Sequence, residues 1–129
     1  MAASANRVVA VVDDDSRILR SLGDLLESAG YAVRLYSSAE KLLQNDAGLV
    51  ELDCLISDIG IPDIDGFELQ RAARATKPGL PVILITGRDH LAKRAASGSD
   101  RADALLQKPF TSSDLLAAVR IALGAAPKI

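Results

Sequence analysis

Five short apolar runs alternate with helical patterns along this chain. Arg7-Val8-Val9-Ala10-Val11-Val12 is continuous and β-branched, the pattern of a strand buried on both faces. Ile18, Leu22, Leu25, Leu26 and Ala29 then recur at helical spacing. Asp15 or Ser16 is the expected N-cap of that first helix, and Gly30 is placed to end it in the left-handed conformation. Ala32–Tyr36 reads as a second strand whose polar position suggests an edge. Ser37-x-x-Glu40 predicts a capping box for a second helix, Ser38 to about Gln44; Asn45–Val50 reads as a loop. A third strand covers about Asp53–Ser57. Gly60, Pro62 and Asp65-Gly66 mark the loop after it. A third helix follows over about Phe67–Ala75, broken by Lys77-Pro78-Gly79. Pro81–Ile85 is a fourth buried strand, closed by Thr86-Gly87. The next stretch, Arg88–Ser97, is a weaker helix candidate with Leu91 as its one large apolar residue, and Ser97–Arg101 is loop-like. Ala104–Gln107 is a short fifth strand closed by Lys108-Pro109. Thr111 or Ser112 caps the last helix, with Leu115, Leu116, Val119 and Leu123 on one face; Gly124 ends it, and 125–129 form a tail.

Strands alternating with helices imply a parallel sheet covered on both faces, with right-handed crossovers. All strand C-termini then share one edge, where open α/β sheets place their ligands. Asp13-Asp14, Asp58, Thr86 and Lys108 end strands one, three, four and five, so they are expected to converge in one cleft.

Composition narrows the field. A chain of 129 residues with 49% hydrophobic side chains fits one domain with a real core, and 3% aromatics make that core aliphatic. The net charge of −2 and the absence of a basic stripe argue against direct binding of nucleic acid. Cys54, the single cysteine, cannot form an internal disulfide; as a small apolar residue in a strand it suits a reducing cytoplasm. The first six residues lack the basic start and apolar run of a signal peptide, and no segment is apolar enough to span a bilayer.

Clustered carboxylates repel one another, so the cleft calls for a cation. Hard oxygen ligands in small number suit Mg²⁺, which keeps waters and is completed by a phosphate oxygen. Lys108 adds a fixed positive charge, Thr86 a hydroxyl donor, and Gly87 and the turn after Asp58 supply backbone N–H groups. Together these suit a phosphoryl group in transfer, with Asp58 as a nucleophile that forms an aspartyl phosphate. Taken singly, each residue has a plainer role: Asp13–Asp15 as helix caps, Thr86 as a strand end, Lys108 as a solvated charge. Four independent strand ends placing complementary groups together favour the chemical reading.

At Val11-Val12-Asp13-Asp14-Asp15, Ser57-Asp58-x-x-Ile61-Pro62-x-x-Asp65-Gly66, Ile85-Thr86-Gly87 and Lys108-Pro109-Phe110, the chain resembles the receiver domain of two-component response regulators. The resemblance spans about residues 6–124 of a single 1–129 domain. It implies a flavodoxin-like (βα)5 doubly wound sheet of order 2-1-3-4-5; the chemotaxis regulator of that family is a standing example of the order. It implies a cytoplasmic switch, not an enzyme acting on outside substrates, fed by a sensor histidine kinase or phosphotransfer protein. Asp58 becomes the phospho-acceptor, Asp14 a direct Mg²⁺ ligand and Asp13 one acting through water. Asp58 and the backbone carbonyl of Gly60 complete the protein ligands, Thr86 and Lys108 contact the phosphoryl group, and the bond before Pro109 is expected to be cis. The output partner or domain is open, as is a phosphorylation-dependent homodimer.

The chain departs from the family pattern in three places. Leu105 stands where a Tyr or Phe ring usually swings inward. Arg101-Ala102 replaces a common Gly-Ala before the fifth strand. Gly60 stands where a side chain often flanks the attacking water. With few apolar residues to pack, Arg88–Asp103 is expected to be the least ordered part of the domain, with a short or mobile helix through which phosphorylation acts. Three other functions compete. A dehalogenase-like phosphatase needs an acid two residues after its nucleophile, where this chain has Gly60. A flavin carrier needs a phosphate loop after the first strand, where this chain has three acids. A receiver-like module that is never phosphorylated has no need of the complete set of site residues.

Overall fold

The computed structural model describes residues 7–61 and 64–124. The expected tails at 1–6 and 125–129, and Pro62 of the predicted loop, lie outside the described residues. Five parallel strands, β1 (Val8–Val12), β2 (Ala32–Tyr36), β3 (Cys54–Asp58), β4 (Val82–Thr86) and β5 (Ala104–Gln107), form one sheet in the order β2-β1-β3-β4-β5. This is the flavodoxin-like arrangement expected from the sequence. The helices are α1 (Ser16–Ser28), α2 (Ala39–Leu43), α3 (Asp46–Val50), α4 (Gly66–Thr76), α5 (Asp89–Ala95) and α6 (Ser112–Gly124).

Alternation along the strands sorts the core into two layers. Val9, Val11, Cys54, Ile56, Ile83 and Ile85 meet Leu22 and Leu26 of α1 and Leu115, Val119 and Leu123 of α6. Ala10, Val12, Leu55, Val82 and Leu84 face the other way, onto Leu42, Leu49, Phe67, Leu69 and Ala95 of α2 to α5. Both faces of the central strands are therefore covered, which is why their sequences read as unbroken apolar runs.

Local chemistry fixes most boundaries. Asp15 caps α1, its carboxylate accepting from the Arg17 N–H at 2.9 Å. At the other end Gly30 has φ +98°, and the N–H groups of Gly30 and Tyr31 donate to Glu27 and Leu26, closing the helix in a Schellman motif. Ala29 is the exposed C-cap and not part of the buried face; Leu19 takes that place. Two expectations between β2 and β3 fail. Ser38, not Ser37, caps α2, accepting from the Lys41 N–H at 3.2 Å, so Glu40 sits one residue too early to close a capping box. The predicted loop 45–50 is the short helix α3, capped by Asn45 and anchored by the fully buried Leu49. One turn with a single large buried residue carries too little periodicity to be read from sequence. Two reciprocal capping boxes, Asp65 with Glu68 and Thr111 with Asp114, start α4 and α6.

Candidate functional site at the strand ends

The sheet register brings the candidate residues together. Val12 of β1 pairs with Ser57 of β3, so Asp13 and Asp58 emerge side by side. Asp58 pairs with Ile85, and Thr86 with Gln107, which places Thr86 and Lys108 just past the acidic end of the neighbouring strands. The Lys108 N–H donates to the Thr86 carbonyl at 2.8 Å, carrying the last strand's end to the same edge.

Asp13, Asp14 and Asp58 each offer a carboxylate oxygen, and these oxygens lie within 4.8 Å of one another. Asp13 is 4% exposed. Burial pushes its carboxyl above the ordinary value of 3.8; the Asp15 N–H, bonded to it at 2.9 Å, pulls the other way, and the charge of Asp58 adds to the rise. Lys108 Nζ lies 3.5 Å from Asp58 Oδ1, with 40% of the lysine side chain and 15% of the aspartate side chain exposed. One lysine does not balance three clustered carboxylates, and hard oxygens at this spacing fit a small divalent cation. The donor set therefore fits Mg²⁺, with Asp14 exposed and free to present its carboxylate outward.

The surrounding positions are shaped by the backbone. The Gly66 N–H donates to the Ile59 carbonyl at 2.9 Å, and a Cβ on Gly66 would stand 2.7 Å from Ile59 Cα and 3.0 Å from the Asp58 carbonyl oxygen. Only glycine lets the start of α4 close on the end of β3 and fix the turn after Asp58. The sequence marks Gly66 as a turn residue; its close approach to the site becomes visible only in three dimensions. Among the described residues, a Cβ at Gly60 would meet Asp58 Oδ2 at 3.9 Å, an ordinary contact. Thr86 is 3% exposed, and its Oγ1 accepts from the Arg88 N–H at 3.1 Å. A Cβ on Gly87 would make ordinary contact with the stem of Lys108 at 3.7 Å. The Lys108–Pro109 peptide bond is cis. Leu105 is half-buried and packs into the α2–α5 layer.

The sequence did not point to the groove beside these residues. Ile18, Ser21 and Leu22 of α1 face Pro109 and Phe110 across a space of about 390 Å³ that reaches Asp13 and Lys108. Ile18 and Phe110 are both half-buried. A Phe after a strand-closing Lys-Pro was the available signal.

Comparison with known proteins identifies the family and the fold. Residues 9–120 match the family model of the response regulator receiver domain. The chain is 36% identical over 121 residues to the response regulator protein TmoT of Ectopseudomonas mendocina, covering 94% of this chain and 54% of that one. It thus spans about half the length of the curated relatives it matches. Among solved structures, a response regulator receiver domain protein from Clostridium thermocellum superposes with a TM-score of 0.84 at 30% identity, covering 92% of this chain and 95% of that one. The BeF3-activated DrrB receiver domain superposes with a TM-score of 0.80 at 30% identity, covering 92% and 98%.

Proposed function

Because this chain belongs to the response regulator receiver domain family, we propose that it is a phosphorylation switch whose acceptor is Asp58. The observation that carries the reading is the cluster of three carboxylates within 4.8 Å, with Lys108 held 3.5 Å from Asp58. A carboxylate oxygen of Asp58 attacks the phosphorus of a phosphohistidine on a sensor kinase or phosphotransfer protein. A P–O bond forms as the P–N bond breaks, and the departing imidazole keeps the electron pair. Asp14, Asp58 and the Gly60 carbonyl would hold Mg²⁺, with Asp13 acting through water, and the ion would supply positive charge to the phosphoryl oxygens. Lys108 and the Thr86 hydroxyl take further oxygens, with the backbone N–H of Gly87 as an additional donor. The groove between α1 and Pro109-Phe110 offers the donor domain an apolar approach beside Asp13 and Lys108.

Turnover on outside substrates is disfavoured because Gly60 supplies no acid to a leaving group. Flavin phosphate is disfavoured because the turn after β1 carries Asp13-Asp14-Asp15. The reading places one receiver domain in the cytoplasm, controlling a separate output, without nucleic-acid contact of its own. No helix among the described residues is long and apolar enough to cross a membrane.

Titration with Mg²⁺ and beryllium fluoride, followed by amide NMR, tests the site. Saturable shifts at Asp58, Thr86 and Lys108 that need both components are expected. Shifts absent from those residues, or unchanged in Asp58→Asn, contradict the assignment.

A further inference from the structure

The peptide between β4 and β5 is poorly supplied with apolar anchors. Helix α5 has seven residues and buries Ala92 and Ala95, with Leu91 half-buried, and Arg88 provides no side-chain cap. Helix α6, by contrast, buries Leu115, Val119 and Leu123. A short helix with so small an apolar face does not hold itself in place by packing.

Polar contacts from α4 take over that role. The Asp100 carboxylate receives Arg71 Nη1 on one oxygen and Arg94 Nε on the other, both at 2.7 Å. The guanidinium of Arg94 also lies 4.0 Å from the ring centroid of Phe67, itself fully buried. Gln70 Nε2 donates to the Asp100 carbonyl at 3.0 Å, and Arg74 Nη1 donates to the Arg101 carbonyl at 3.1 Å. Exposed ion pairs contribute little because water screens them and long side chains lose freedom. Here Arg71 and Arg94 are 53% and 47% exposed, but both converge on one Asp100 side chain that is 18% exposed, and the ring beneath Arg94 restrains its guanidinium. Arg94, hydrogen-bonded to Asp100, holds that carboxyl below its ordinary 3.8, with Arg71 adding to the effect, so the pair stays charged at neutral pH. One acceptor, Gln70 Oε1, is buried beside the network without a hydrogen-bond partner among the described residues.

We propose that Arg71, Asp100 and Arg94 form an ionic clamp that holds the segment from Asp89 to Asp100 against α4. The order of this segment is then set by charge and ionic strength, not by apolar burial. The far end of the same peptide is tied to the strand ends, by the Arg88 N–H on Thr86 Oγ1 and by Gln107 Nε2 on Asp89 Oδ1 at 2.5 Å. The segment is thus a strap between the phosphoryl-site residue Thr86 and the clamp. The clamp belongs to the resting domain and stands apart from the assignment of Asp58.

Amide hydrogen exchange on the full chain, without Mg²⁺ or phosphodonor, tests it. Asp100→Asn and, separately, Arg71→Gln are expected to speed exchange of Leu91 to Ala96 about tenfold while leaving α6 unchanged. Raising salt to roughly 1 M should do the same to the parent chain and add little to Asp100→Asn. Exchange within about twofold of the parent in both variants, or an equal rise in α6, overturns the clamp.

Discussion

Asp13 carries a buried carboxylate next to two others, and this has a thermodynamic consequence. Its carboxyl is raised above 3.8, chiefly by burial, so the folded state binds its proton more tightly than the unfolded chain. The stability gained from that proton is complete below pH 3.8 and is lost as pH rises through the raised value. At pH 7 without Mg²⁺ the ionised Asp13 therefore opposes folding. Asp13→Asn should raise the thermal midpoint at pH 7 by about 2–5 °C, with the gain shrinking toward pH 4, as scanning calorimetry at several pH values would show. Mg²⁺ should reverse the sign. At a concentration ten times its dissociation constant the ion should stabilise the parent chain by roughly 1.4 kcal/mol. Asp14→Ala should abolish that gain. Asp15→Ala should keep most of it, because the Asp15 carboxylate is turned to the Arg17 N–H as a helix cap. A melt series with and without Mg²⁺ separates the two; greater damage from Asp15→Ala would mean that the acidic run is misassigned.

At the scale of elements, the site depends on how α4 begins. Gly66→Ala would press a Cβ to 2.7 Å from Ile59 Cα and disturb the turn after Asp58. The expected cost is about 1–3 kcal/mol in urea unfolding, together with weaker Mg²⁺ binding. Thr111→Ala, which removes the cap of α6 and none of the carboxylates, should cost about 1 kcal/mol and leave Mg²⁺ binding unchanged. The strands and long helices were legible in the sequence because unbroken β-branched runs and three or more turns of apolar spacing leave a strong pattern. Strand boundaries shifted by one residue, so that Asp58 and Thr86 are the last residues of β3 and β4 and not the first beyond them. The α2–α3 region was not legible. There the choice between Ser37 and Ser38 as cap, and between loop and single helical turn, rests on tertiary contacts. Lys77 is one of them: it reads as a helix breaker's neighbour, yet its Nζ donates to the Val50 and Leu52 carbonyls. The short α5 was foreseen from the scarcity of apolar residues, but the arginines that hold it are spread over α4 and α5 and show no local signature.

For the whole molecule, the parallel sheet does two jobs with one topology. It buries both faces of β1, β3 and β4, and it delivers Asp13, Asp58, Thr86 and Lys108 to a common edge. The convergence was legible because α/β alternation dictates that all strand C-termini share one side. The groove against α1 was not, since it depends on how Pro109 and Phe110 stand against that helix in three dimensions. Cys54, fully buried in β3 with its thiol pushed up to about 12, reports on the integrity of this core. Its reaction with a thiol reagent should proceed only through unfolding, and Mg²⁺ should slow it. The central claim, that this edge accepts a phosphoryl group at Asp58, is met most directly by incubation with a small phosphodonor, followed by intact mass and peptide mapping. The account predicts one added phosphoryl group, on Asp58, dependent on Mg²⁺ and absent from Asp58→Asn. Undiminished labelling in that variant, or labelling indifferent to Mg²⁺, would contradict it.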